Sequence, residues 1–452
     1  MSDGRDQYTD VAWVLEGVRV IDPASGLDKV GRWCVAGGVW RELAGGEAPP
    51  VGARVADAKG QWVVPGLVDL QVHFREPGFE YKETIASGAA AAFAGGVTSV
   101  VVMPNTRPSL DTPERVRFEI ETGLAEGLNL MVAAAATRDL RGTDVTDAAA
   151  LKAAGAVALT DDGLPVMDDG VMAAVLRGCR EQDLVFMQHA EDLRLSKVDG
   201  VHGAMTAGPT ATRLGVVAQD PNAEGQMVER DIALVRELGA RYHVLHTSTA
   251  RSVRAIKDAK AAGQPVSCEA SPHHLLLADT DCASGDTHFK MNPPLRSTED
   301  RAALVAALLD GTVDAVATDH APHSQEEKAL PFAEAPFGVV GLETAFSALL
   351  TFFHRGELSA ARTVALMTIG PASVLRRPDL GRLSFASADA RAPGSHTGTP
   401  WVLLDPNAPF TVSPADLRGR SKNSPFIGHT FRGRILHTWS QGATRFRLSA
   451  AV

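Results

Sequence analysis

The stretch Pro65–Gly78, PGLVDLQVHFREPG, decides how the chain reads. At the two-residue period of a strand, Asp69, Gln71 and His73 fall on one face and Leu70, Val72 and Phe74 on the other. This is a polar line inside an apolar strand, and buried polar groups need partners. A metal ion explains the line best, because ligands two apart on a strand converge at the mouth of a barrel. Arg75, Glu76, Pro77 and Gly78 then form the loop at the strand's carboxyl end, where barrels hold anionic substrates.

Ahead of this stretch, from Val11 to Val64, lie short apolar runs such as VAWVLEGVRVI and RWCVAGGVWREL, broken by Gly, Pro and Asp, which predict hairpins. From Pro65 onward strand-like and helix-like segments alternate. The predicted strands are Val68–Phe74, Val97–Met103, Leu130–Ala135, Ala156–Leu159, Leu184–Met187, Tyr242–Leu245, Pro265–Cys268 and Val313–Ala317. Helices are predicted over Lys82–Ala94, Pro113–Glu126 with Thr112 as its cap, Asp169–Gln182, Ala223–Leu238, Thr249–Ala262, Thr298–Leu309 and Leu342–His354. Eight strands alternating with helices predict an α/β fold, a (β/α)8 TIM barrel over 65–375. After Leu375 short runs return, WVLLD, PFTV and RILHTW, so segments 1–64 and 376–452 are expected to pair into a small β-sandwich-like domain. Ser387–Thr399, SADARAPGSHTGT, reads as a flexible surface loop.

The totals narrow the function. The chain has 452 residues, 45% hydrophobic and 22% charged, with a net charge of −10 and a pI near 5.8. That balance argues against nucleic acid and anionic membrane as partners, so any anion must be held by a few placed groups. Cys34, Cys179, Cys268 and Cys282 form no Cys-x-x-Cys pair, and neither a disulfide framework nor a zinc ribbon follows. The polar N-terminus MSDGRDQYTD and the absence of any long apolar run predict a cytoplasmic protein with no membrane span.

Barrel enzymes keep their chemistry at the carboxyl ends of strands. Here those ends carry His73, Asp161-Asp162-Gly163, Gln188-His189, His246 and Thr318-Asp319-His320. A lone histidine at a strand end is usually a hydrogen-bonded structural residue, and Asp before Gly is often a turn. Three histidines and two aspartates in register on five strands are a metal-ligand set suited to zinc.

PGLVD-x-x-VH-x-REPG, MPNT with Asn105, TDDG, HAED at His189, HTST at His246, SPHHL, KMNPPLR, ATDHAPH and APFGVVGLETA together resemble the dihydroorotases of the amidohydrolase superfamily, class I bacterial type. The likeness runs from Pro65 to about Ala372. Thr-Asp-Asp-Gly is unlike the related hydantoinases and allantoinases, which place a carboxylated lysine at the fourth strand. The resemblance implies Zn2+, one or two per subunit, with Asp162 bridging, His189 and His246 on the second metal, and His73 and Asp319 on the first. Asp319 is implied as the acid/base, and Arg75, Asn105 and His323 as the clamp on a substrate carboxylate, with Asn292 contacting the pyrimidine ring. The implied reaction is the reversible cyclisation of N-carbamoyl-L-aspartate to dihydroorotate in pyrimidine biosynthesis, by a homo-oligomer. His273, His274, Lys152 and Lys290 receive no metal or catalytic role, since adjacent residues of a strand face opposite ways.

One position departs from the pattern. Where the family has His-x-His on the first strand, this chain has Gln71-Val72-His73. An amide oxygen is a poorer zinc ligand than imidazole. Three outcomes stay open: weak ligation by Gln71, a first metal held by His73, Asp162, Asp319 and water, or tight binding of the second metal alone. Other readings are a non-catalytic scaffold for aspartate transcarbamoylase and a different cyclic amidohydrolase.

Overall fold

The computed structural model describes residues 12–386 and 398–448. Residues 387–397 of the predicted loop, and the first eleven residues, lie outside them. Eight parallel strands form the barrel: Leu67–Val72, Val97–Val102, Asn129–Ala135, Ala158–Thr160, Val185–Gln188, Arg241–Val244, Val266–Ala270 and Ala315–Val316. Each pairs with the next in that order, and they are called strands one to eight below. The ring closes where Val72 bridges His320 and the His73 amide donates to the His320 carbonyl oxygen at 2.8 Å.

The predicted strand period is visible in the packing. On strand three, Met131 and Ala133 join a cluster inside the barrel with Met103, Met187 and Leu245. Leu130, Val132 and Ala134 instead join the cluster between sheet and helices. Strand one breaks this rule and corrects the sequence reading. Leu70 packs inside with Val68, whereas Val72 and Phe74 pack outward against helix residues such as Ile85 and Ala89. The pairing register slips between Asp69 and Val72, where the Asp69 carboxylate accepts from the Gln71 and Thr318 amides, each at 3.1 Å. The slip is a bulge that moves the inward face from Leu70 to Gln71 and His73.

All seven predicted helices are present: Ile85–Ala94, Pro113–Ala125, Asp169–Glu181, Asn222–Leu238, Ala250–Ala261, Thr298–Asp310 and Ala345–His354. The first starts later than predicted because Thr84 caps it, its side chain accepting from the Ser87 amide. Thr112 holds the cap position of the second, yet its side chain makes no cap hydrogen bond. His273 and His274 lie on a short helix, Pro272–Leu276, rather than on a strand. Both are buried, and the His274 Nε2 faces the Pro293 carbonyl oxygen at 2.9 Å.

The two ends of the chain pair into one nine-stranded sheet. Trp62–Pro65 lies antiparallel to the strand that begins at Trp401. Hairpins account for the first three strands, Trp13–Asp22, Leu27–Ala36 and Val39–Glu42. Arg54–Asp57 and Trp62–Pro65 depart from the hairpin prediction by pairing in parallel with Trp13–Asp22. The predicted runs WVLLD and PFTV share one strand, Trp401–Thr411, interrupted by an irregularity between Asp405 and Pro409. Its core holds Trp33, Trp40, Trp401 and Trp439. Gly66 alone separates this sheet from strand one, and a Cβ there would come within 2.1 Å of Thr98 Oγ1.

The four cysteines are buried and free. None of the described helices is long and apolar enough to cross a membrane.

Candidate active site

Strand ends bring the predicted residues to one end of the barrel. Asp162 follows strand four, His189 strand five and His246 strand six, and all three are buried. One ligand atom from each lies within 4.8 Å of the others, and among the described residues this is the group that converges in such a way. His189 Nδ1 sits 3.5 Å and His246 Nε2 3.8 Å from Asp162 Oδ1. The two imidazoles meet at 2.9 Å, Nδ1 to Nε2. One carboxylate and two imidazole nitrogens aimed at one point suit a divalent ion such as zinc. The electrostatics agree with that demand for positive charge. Burial would lower the His189 pKa, but hydrogen bonds to Asp162 and Glu191 raise it to about 10. Burial would raise Asp162, yet its contacts with His189, His246 and His73 hold it well below the usual carboxylate range.

Asp162 Oδ2 faces the other way. Gln71 Nε2 donates to it at 3.0 Å, and His73 Nε2 lies 3.3 Å from it. His73 Nε2 is also 3.3 Å from Asp319 Oδ1, while its Nδ1 meets Asn105 Oδ1 at 2.8 Å. Gln71 Oε1 is buried without a hydrogen-bond partner. This half does not fit an ion as the first half does, because an amide N–H offers no lone pair. Asp161, the neighbour of Asp162, points elsewhere: its carboxylate accepts from the Thr137 amide at 2.9 Å and from the Thr137 hydroxyl.

Backbone strain collects at this end. Arg75, His246 and Asp319 have φ of 65°, 32° and 49°, a region that costs a non-glycine residue on the order of 1–2 kcal/mol. Such strain is found at functional sites among other places, and six further non-glycine residues share it elsewhere among the described residues.

Arg75 and His323 sit at the rim. Arg75 Nε donates to the Pro322 carbonyl oxygen at 3.2 Å, and its Nη2 lies 3.4 Å from His323 Nε2. Burial lowers the Arg75 pKa to about 10, with Asp319 and Asp162 opposing, so the cation persists at neutral pH. Burial and the charges of Arg75 and Lys82 hold His323 well below the usual histidine range. The neutral ring donates Nε2–H to the Phe337 carbonyl oxygen at 2.7 Å, leaving Nδ1 to accept from Lys82 Nζ at 3.3 Å. Asn105 is therefore tied to His73, apart from the Arg75–His323 pair. Asn292 Nδ2 donates to Glu191 Oε2 at 2.9 Å, and Asn292 Oδ1 accepts from Gln219 at 3.1 Å.

Glu191 is the residue that sequence reasoning missed. Its Oε2 is 2.9 Å from His189 Nε2, and its other oxygen meets His202 Nε2. A carboxylate behind a ligand histidine fixes the tautomer that leaves the facing nitrogen free. The signal was the spacing in HAED, which puts Glu191 two residues beyond His189.

The fold has close counterparts among solved structures. The L-hydantoinase (dihydropyrimidinase) from Arthrobacter aurescens superposes with a TM-score of 0.79 over 96% of this chain and 95% of that one, at 24% identity. A dihydropyrimidinase from Brevibacillus agri gives 0.78 over 97% and 95%, at 21% identity. At such identities the likeness is one of fold. Together with the buried carboxylate–imidazole group, it places the molecule in a class, the (β/α)8 barrels that carry a candidate metal centre at their strand ends. Sequence narrows the class further. A family model described as dihydro-orotase-like matches residues 60–252. Dihydroorotase of Anaeromyxobacter dehalogenans strain 2CP-1 is 46% identical over 94% of this chain and 95% of its own length. Dihydroorotase of Solibacter usitatus is 41% identical over 96% and 97%. With relatives this similar over nearly its whole length, the chain belongs to the dihydroorotase family.

Proposed function

We propose that the protein is a zinc-dependent dihydroorotase, interconverting N-carbamoyl-L-aspartate and dihydroorotate in pyrimidine biosynthesis. The observation that carries this reading is Arg75, a half-buried guanidinium in electrostatic reach of Asp319 and Asp162. A substrate carboxylate would pair with it, whereas a neutral cyclic amide such as a hydantoin would leave it without an anionic partner.

Asp162, His189 and His246 would hold the ion. A bound zinc supplies Lewis acidity at the scissile carbonyl and lowers the pKa of water from 15.7 to about 7. Asp319, 3.3 Å from His73 Nε2, would take a proton from the attacking water and return it to the leaving ring nitrogen. The same carboxylate serves the reverse reaction as acid where it served as base. Arg75 pairs with the substrate carboxylate. Asn105, whose oxygen is held by His73, keeps its amide N–H groups for a substrate oxygen. His323, its ring nitrogens bonded to Phe337 and Lys82, would line the clamp beside Arg75, and Asn292 would support the ring from the loop after strand seven.

Gln71 favours a second reading, a non-catalytic scaffold for aspartate transcarbamoylase. Turnover of dihydroorotate by the purified chain discriminates, with Arg75→Ala as control. Activity that falls in the variant supports the enzyme and the clamp, and no activity in the unaltered chain supports the scaffold. A homo-oligomer in the cytoplasm belongs to the same proposal, on the family resemblance, and light scattering of the purified protein tests its oligomeric part.

A further inference from the structure

The two oxygens of Asp162 have different partners. Oδ1 faces His189 and His246 and accepts from the Gly163 amide at 2.8 Å. Oδ2 is the oxygen that a second ion, shared with His73 and Asp319, would need. Gln71 Nε2 already donates to it at 3.0 Å, in a fully buried contact. With no ion between them, turning the amide over would set Oε1 against a carboxylate oxygen.

We infer that Gln71 is a hydrogen-bond lock on Asp162, and that this chain binds one metal ion, on the Asp162–His189–His246 side alone. The inference rests on the reading that those three residues hold the ion. Gln71 stands in for an ion, satisfying the outer oxygen with an N–H where an imidazole would have shared a metal. His73 then spans the Asp162 and Asp319 carboxylates, 3.3 Å from each, with Asn105 fixing its far nitrogen at 2.8 Å. These groups remain a polar wall of the active site and are not ligands.

The test is a zinc titration of the metal-stripped full-length protein, with bound metal counted by mass spectrometry after dialysis. The expected plateau is one ion per chain, rising to two in Gln71→His. A plateau of two in the unaltered chain would overturn the inference. A plateau that stays at one in Gln71→His would overturn Gln71 as its cause. Should Gln71→His fail to fold, Gln71→Leu replaces it: one ion is expected, and none would make Gln71 a ligand of the single ion and sink the idea. Dihydroorotate turnover, measured in parallel, separates this inference from the proposed function. One ion without turnover leaves the lock standing and removes the enzyme, whereas turnover with two ions does the reverse.

Discussion

Asp162 divides the site into two neighbourhoods built from different materials. On the Oδ1 side two imidazoles converge, and a carboxylate, Glu191, backs one of them. On the Oδ2 side an amide donor, one imidazole and a second carboxylate, Asp319, make a hydrogen-bonded wall. Both sides are buried, so each must satisfy the charge of Asp162 without water. One does it with groups that bear lone pairs and demand a cation. The other adds an N–H, from Gln71. A single residue, Gln71, accounts for the difference, and it sits on the inward face because of the bulge in strand one.

The strongest way to break this comparison is to remove its centre. Asp162→Ala should abolish zinc binding and turnover together, and a variant that still bound zinc stoichiometrically would show that the Oδ1 side does not depend on Asp162. Asp319→Asn should lower turnover about 10²- to 10⁴-fold, the range for loss of a positioned acid/base. Its zinc content should be unchanged, and a loss of metal would make Asp319 a ligand. Arg75→Ala should reduce kcat/KM by roughly 10- to 100-fold, corresponding to a charged hydrogen bond of about 1.5–3 kcal/mol. Glu191→Gln should weaken zinc binding by about 10- to 100-fold, as expected when the carboxylate behind a ligand histidine is lost. Competition against a chelator would measure it, and an unchanged affinity would make Glu191 a merely structural neighbour. His323→Ala should have the smallest effect, under about 10-fold in kcat/KM, because its ring nitrogens bond within the protein and a neutral hydrogen bond is worth about 1 kcal/mol.

The barrel was legible because its strands are apolar runs with turn residues between them, and the interior and exterior clusters of strand three follow the same alternation. Strand one was legible as a strand and misread in its facing, since a bulge depends on what Asp69 bonds, not on any pattern of hydrophobicity. Short helices such as Ala148–Ala153 and Ala360–Ala365 escaped because six residues are too few to show a helical period. In the site, His189, His246 and Asp162 stood out because strand ends set them in register. Glu191, His202 and Gln219 act through other side chains, and their roles appear only when the chain between strands five and six folds back over His189. The orientation of the Gln71 amide was likewise invisible, being fixed by a partner ninety-one residues away.

The most direct test of the account is the dependence of dihydroorotate turnover on added zinc, starting from the metal-stripped protein. The account predicts that activity rises linearly and saturates at one equivalent per chain. Saturation only at two equivalents, or activity without any metal, would contradict it.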